Sequence, residues 1–183
     1  MRSFLTALAL ILVVSGPASA GDEPVAPDWS LASADGETIR LSAEVREQPV
    51  IILFWATWCP YCKALMPHLQ SIRLEHGEDV KILAINFRED GDPVEFIRNA
   101  GYDFTVLPDG DEVAAAYGVH ATPGVIVVDA ERLVRFDLRA LPRLNIPPEW
   151  ASRGNSVKAA YLAPYWAAEI RKSLDRVLGS DAP

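Results

Sequence analysis

The strongest pattern in the chain is an unbroken apolar run after Pro49, Val50-Ile51-Ile52-Leu53-Phe54-Trp55. Its hydrophobicity is continuous rather than alternating, which predicts a central strand buried on both faces. Downstream, Leu65, Leu69 and Ile72 recur every three to four positions and predict a helix over about residues 63–75, ended by His76-Gly77. Residues 80–87 predict a second apolar strand, 94–100 a short helix, 104–107 an extended piece and 112–117 a helix stopped by Gly118. Residues 124–128 and 133–138 predict two further strands around a charged turn, Asp129-Ala130-Glu131-Arg132. Upstream, Trp29-Ser30-Leu31 and Thr38-Ile39-Arg40-Leu41 flank Asp35-Gly36, a pair suited to the positive φ angles of a tight hairpin turn. The last element is an amphipathic helix over about residues 164–178, with Trp166, Ile170, Leu174, Val177 and Leu178 on one face and Gly179 beyond its end.

Strands alternating with helices imply an α/β sheet, and the hairpins add antiparallel edges. One stretch breaks the pattern: residues 139–162 contain Pro142, Pro147, Pro148 and Gly154 without clear periodicity. A structureless segment of that length is unusual in a compact domain, so it is either a functional loop or the place of a short helix.

Composition narrows the class. The 183 residues are half apolar with charges interspersed, which fits one globular domain and excludes a disordered or collagen-like chain. The first twenty read as an export signal: Arg2 gives a basic start, residues 4–14 an apolar run and Ala18-Ser19-Ala20 a cleavage site. The mature domain is then expected over residues 21–183, with its core over about 26–138. An uncleaved anchor is the competing reading, but the apolar run is about half the roughly 20 residues a spanning helix needs, so no stable membrane insertion is expected after cleavage. Removing Arg2 leaves 16 Lys and Arg against 25 Asp and Glu, a charge of −9 where the whole chain carries −8. That argues against nucleic acid and anionic membrane surfaces as partners.

Only two cysteines are present, Cys59 and Cys62. In an oxidising compartment such a pair is a staple, half a metal site or a redox couple. The staple is the weakest of these, because closing so short a loop contributes only about 2 kcal/mol. A cysteine at the end of a buried strand and the start of a helix meets unpaired backbone N–H groups and the positive helix end, which stabilise a thiolate. Cys59 is therefore the expected nucleophile, exposed and ionised, and Cys62, one turn further in, the resolving thiol.

The segment Phe54-Trp55-Ala56-Thr57-Trp58-Cys59-Pro60-Tyr61-Cys62-Lys63, with Pro67 beyond it, resembles the active-site segment of the thioredoxin superfamily. Ala26-Pro27-Asp28-Trp29-Ser30-Leu31, Asp35-Gly36 and Leu41-Ser42 resemble the N-terminal hairpin of its exported TlpA/ResA-like branch. So does the stretch 113–119 leading to Thr122-Pro123. The resemblance spans about residues 26–138 and fades beyond.

The resemblance implies a thioredoxin fold: a central mixed sheet flanked by helices, with an N-terminal β-hairpin and a βα-type insertion. It implies that Pro123 follows a cis peptide and lies against the disulfide, and that Thr122 offers backbone groups to a substrate strand. Trp58, Pro60 and Tyr61 are expected on the substrate-binding rim, Trp58 as a rim or packing residue and Pro60 and Tyr61, between the sulfurs, tuning their exposure and redox potential. Glu89 matches an acid placed near the cysteines; it would accept a proton from Cys62 and raise the thiol pKa values, the alternative being a solvated strand-end acid beside Arg88. Gly124 departs from the threonine frequent after this proline, and Leu53 stands where thioredoxin carries a buried acid. Pro67 is expected to kink its helix, and Lys63 either to aid the thiolate or to be a solvated helix residue.

The implied activity is protein disulfide reduction in the periplasm or another exported location, with no cofactor beyond the dithiol. The implied partners are exported proteins with disulfides and an upstream membrane thiol donor, the protein itself being a monomer. Cytochrome c maturation and general thiol repair are two roles the branch performs. Two other classes stay open: a copper or other metal carrier, for which His68, His76 and His120 are available, and a non-catalytic interaction module. Peroxidase chemistry lacks its usual threonine-to-cysteine spacing around Cys59.

Overall fold

The structure is a computed structural model and describes residues 23–179. The expected export signal, residues 1–20, lies outside the described residues. The chain begins with a short antiparallel hairpin, β1 (Ser30–Ala32) and β2 (Thr38–Arg40), followed by helix α1 (Leu41–Glu47). Of the Asp35-Gly36 pair only Gly36 has positive φ, at 85°, so the loop is wider than a two-residue turn, with Ser33 N–H donating to Glu37 O. Helix α1 was not expected from periodicity. It buries only Leu41 and Val45, and the N–H of Ser42 in its first turn is received by Asp28, 14 residues upstream.

The main sheet holds β3 (Val50–Trp55), β4 (Lys81–Asn86), β5 (Thr105–Leu107), β6 (Gly124–Val128) and β7 (Val134–Asp137) in the order β5-β4-β3-β6-β7. Strands β3, β4 and β5 run parallel, whereas β6 and β7 are antiparallel additions. Helix α2 (Pro60–His76) follows β3. Helix α3 (Pro93–Ala100) and β5 form the expected βα-type insertion, and α4 (Asp111–Ala116) leads towards β6.

All six residues of β3 are buried, and they divide by parity between two cores. Ile51, Leu53 and Trp55 face a layer that includes Leu65, Leu69 and Ile72 of α2. Val50, Ile52 and Phe54 face one that includes Leu41, Val45, Val113 and Tyr117. A strand covered on both faces has no need to alternate, which is why the run is continuous. Trp55 is buried completely with its indole N–H unpaired.

The last helix is longer than expected. Helix α6 spans Asn155–Leu178 and holds Pro164 in its interior, so it begins nine residues before the expected start at 164. Its buried stripe is Ala159, Ala163, Ala167, Ile170 and Leu174, while Trp166, Val177 and Leu178 are only partly buried. Alanine carries little hydrophobic signal, so the three alanines of this stripe are invisible to periodicity. Pro164 removes one main-chain hydrogen bond, and tertiary packing of the alanine face offsets that loss. Helix α6 lies along α2, where Arg171 grips Glu75 through two nitrogens at 2.7 and 2.8 Å. The irregular stretch before it holds a 3-10 turn, Leu138–Ala140, and a single helical turn, α5 (Pro148–Ala151). Trp150 of α5 packs on Tyr161 of α6 at 5.8 Å between centroids.

Candidate active site

The end of β3 points its chain into the first turn of α2, and Cys59 is the residue at the junction. It has extended dihedrals (φ −81°, ψ 108°) and acts as the N-cap of α2, its sulfur receiving the Cys62 N–H at 3.1 Å. Pro60 occupies the first helical position, where a missing N–H costs nothing. The helix therefore starts three residues earlier than periodicity indicated, because cysteine and proline carry no apolar repeat. Cys59 and Cys62 are joined as a disulfide. Helix-end N–H groups and the macrodipole lie along the Cys59 sulfur, the environment that stabilises a thiolate after reduction.

The expected exposure of Cys59 is corrected: in this disulfide form Cys59 is 1% and Cys62 0% exposed. As a cap, Cys59 turns its sulfur back over the first turn, and the bond to buried Cys62 holds it there. Trp58 instead is the exposed member of the motif, at 49%, its indole N–H donating to Arg88 O at 2.8 Å. Pro67 lies within α2. Lys63 holds its ammonium over the Phe96 ring, 5.4 Å from the centroid.

Glu89 is held by a set of hydrogen bonds that neither expectation described. Its carboxylate receives the Thr57 N–H at 2.7 Å, the Thr57 hydroxyl at 2.5 Å and the Asn86 amide at 2.6 Å. It also receives the N–H groups of Asp90 and Gly91, both at 2.9 Å. Burial alone would push this carboxyl up, but the bonds from Thr57, Asn86 and Asp90 outweigh it and bring the pKa down to about 2. So acidic a group is a poor acceptor for a proton from Cys62. It is a permanent negative charge that fastens the turn two residues before Cys59, and Asn86 and Thr57 belong with it. Sequence reading passed over both: a buried Asn at a strand end and a Thr before a Trp-Cys pair carry no periodic signal.

The Thr122–Pro123 peptide is cis, and the chain continues into β6 beside β3. Gly124 is explained by close approach: a Cβ there would stand 2.9 Å from Val119 Cγ1 and 3.3 Å from two Phe54 carbons. Thr122 and Pro123 share with Tyr61 the wall of a cavity of about 560 Å³. Tyr61 is placed by the last helix, with its ring 6.1 Å from that of Trp166 and its hydroxyl 3.5 Å from Asn155 Oδ1. The structure thus brings Cys59, Cys62, Pro60, Tyr61, Thr122 and Pro123 to one end of the sheet, with Trp58 and Glu89 flanking through the Arg88 turn. Among the described residues no group of three or more His, Cys, Asp or Glu side chains is placed to hold a metal, and no helix is long and apolar enough to cross a membrane.

Comparison with known proteins gives a consistent result. The AhpC/TSA family matches residues 23–137. The chain is 34% identical over 115 residues to the thiol-disulfide oxidoreductase ResA of Halalkalibacterium halodurans, covering 61% of this chain and 64% of that protein. It is 29% identical over 114 residues to the thioredoxin-like protein YneN of Bacillus subtilis, covering 60% and 66%. The match thus spans just under two thirds of the length of these relatives. Among solved structures, the thioredoxin domain of a Bacteroides vulgatus thiol-disulfide oxidoreductase superposes with a TM-score of 0.60 at 18% identity, covering 83% of this chain and 96% of that domain. That likeness shows the thioredoxin fold.

Proposed function

The chain belongs to the AhpC/TSA family, and from that premise we propose that it is an exported thiol-disulfide oxidoreductase that reduces disulfides in exported proteins through Cys59 and Cys62. The observation that carries the reading is the Cys59–Cys62 pair capping α2 at the sheet end where Thr122 and Pro123 lie beside Tyr61. In the dithiol form the Cys59 thiolate attacks one sulfur of a substrate disulfide. A mixed disulfide forms, and the other substrate sulfur leaves as a thiolate that takes a proton from solvent. Cys62 then attacks the Cys59 sulfur, restores the Cys59–Cys62 bond and frees the second substrate sulfur. Two electrons pass to the substrate. A membrane thiol donor would return them, and no further cofactor is required. The signal-like pattern of residues 1–20, a basic start, an apolar run and Ala18-Ser19-Ala20, supports a periplasmic or otherwise exported site of action.

The roles are separable. Cys62→Ser should accumulate mixed disulfides through Cys59, whereas Cys59→Ser should not, because only Cys59 sits at the helix terminus. Gel separation of alkylated extracts from the native host reads the outcome, and mass spectrometry of the trapped partners identifies the substrates. Equal trapping by both variants would overturn the assignment.

A further inference from the structure

The cavity beside Tyr61, Thr122 and Pro123 is built mostly from chain that the family match does not reach. That match ends at residue 137, and the remaining wall comes from the strap 138–146 and from α6. Its lining is apolar, with Leu141, Leu144, Ile146, Leu162 and Trp166, and Leu144 remains 39% exposed. Two arginines border it, and they differ in what they have left to give. Arg139 spends its guanidinium on Asp137 and on the carbonyls of Tyr117 and Gly118, each at 2.8 Å. Arg143 is exposed and, among the described residues, has no carboxylate or carbonyl partner. An uncompensated cation beside an apolar trough, in a chain of net charge −8, is complementary to an apolar side chain next to a carboxylate.

We infer that this groove is a specificity site that holds a segment of the disulfide-bearing substrate protein, seating an apolar side chain against Leu144 and Ile146 and an adjacent carboxylate on Arg143. The inference rests on the proposed redox reading, since the groove is continuous with the cysteine face through Tyr61 and Pro123. The occupant is a polypeptide because it must present a disulfide to Cys59 while its neighbouring residues fill the groove. Reaction within the bound complex is then effectively intramolecular, so groove contacts raise the rate of the first exchange step.

The test uses the reduced mature protein in single turnover, so that its own dithiol supplies both electrons. Two peptides each carry one internal disulfide and a leucine beside it, and differ only in having Asp or Lys next to the leucine; a third has serine in place of the leucine of the Asp peptide. The Asp peptide should react about threefold to fivefold faster, the size that a partly exposed ion pair supports. Arg143→Glu should reverse the order. Leu144→Ser should diminish the advantage of leucine over serine at the apolar position of the Asp peptide. Each readout is a ratio of two rates measured on one protein sample, so a variant that folds less completely still gives a valid answer. Equal rates for the two peptides with the unaltered protein, or an order unchanged by Arg143→Glu, would overturn the groove assignment. A dimer of the unaltered protein that Arg143→Glu dissociates, seen by light scattering, would assign the groove to a second copy of the chain and overturn it too. Failure of the unaltered protein to reduce either peptide would instead strike at the oxidoreductase reading itself.

Discussion

Gly124 shows how one absent side chain sets the site. The position after the cis proline is crowded by Val119 and Phe54, so Gly124→Thr forces either a β6 shift or a change in Phe54. We expect it to cost about 1–3 kcal/mol in urea unfolding, the usual penalty of overpacking. A neutral result would mean that Val119 and Phe54 yield freely. Glu89 sets a second test, in pH. Its carboxyl ordinarily titrates at 4.5 and is held at about 2 in the fold, so its contribution is complete above about pH 4.5 and is lost as pH falls through about 2. Between those limits the unaltered protein should lose stability more steeply than Glu89→Gln, and parallel acid curves would contradict this. The same permanent charge disfavours a second negative charge nearby, so Glu89→Gln should also lower the pH at which thiolate absorbance appears in the reduced protein. The two thiols titrate as a pair, and the whole curve is the quantity to compare. The role of Glu89 was only half legible in the sequence: the acid was recognisable, but not that Thr57 and Asn86 already hold it.

Among elements, the strands were the most legible, and helix α1 and the first half of α6 the least. Strands β3 and β6 are apolar at every position or nearly so, and their limits of 124–128 for β6 and 50–55 for β3 coincide with the hydrophobic runs. Helix α1 was hidden because its first turn is satisfied by Asp28 from across a hairpin rather than by a local cap. The N-terminal half of α6 was hidden because it packs through alanines and crosses Pro164. Those alanines permit the close approach of α6 to α2, and they should be intolerant of size. Ala167→Leu is expected to destabilise by about 1–3 kcal/mol through overpacking. Arg171→Ala, which breaks the exposed pair with Glu75 on the same seam, should cost under about 1 kcal/mol. Thermal or urea unfolding of the two variants ranks them, and the reverse order would show that the seam is held by charge instead of fit.

Over the whole molecule, the redox direction is a balance between two placements. The α2 terminus and the Cys62 N–H favour the thiolate and so push the disulfide towards being an oxidant, while the ionised Glu89, bonded to Thr57 two residues before Cys59, opposes a thiolate. We expect the opposition to prevail and the pair to equilibrate with glutathione at a potential no higher than the about −180 mV of protein disulfide isomerase. A value well above it would make the protein an oxidant. The cysteine pair was legible from its spacing and its place after a buried strand, and the cis proline only through the family resemblance, whereas the groove was not legible, because leucines and a lone arginine in a proline-rich stretch look like loop until α6 packs beside them. Arg139 then joins two regions that the sequence keeps apart, Asp137 at the end of β7 and the Tyr117–Gly118 carbonyls that lead to Thr122–Pro123. One guanidinium fastens the groove strap to the loop beside the sulfurs, and equilibria joined in this way are reciprocal. Whatever preference the groove has for its occupant in the dithiol over the disulfide form must reappear as a displacement of the reduction potential by that occupant, about 30 mV for each tenfold preference. A substrate segment held more tightly before electron transfer than after it is thereby released by the reaction it has undergone, so the same fastening that positions the strap gives the cycle its exit.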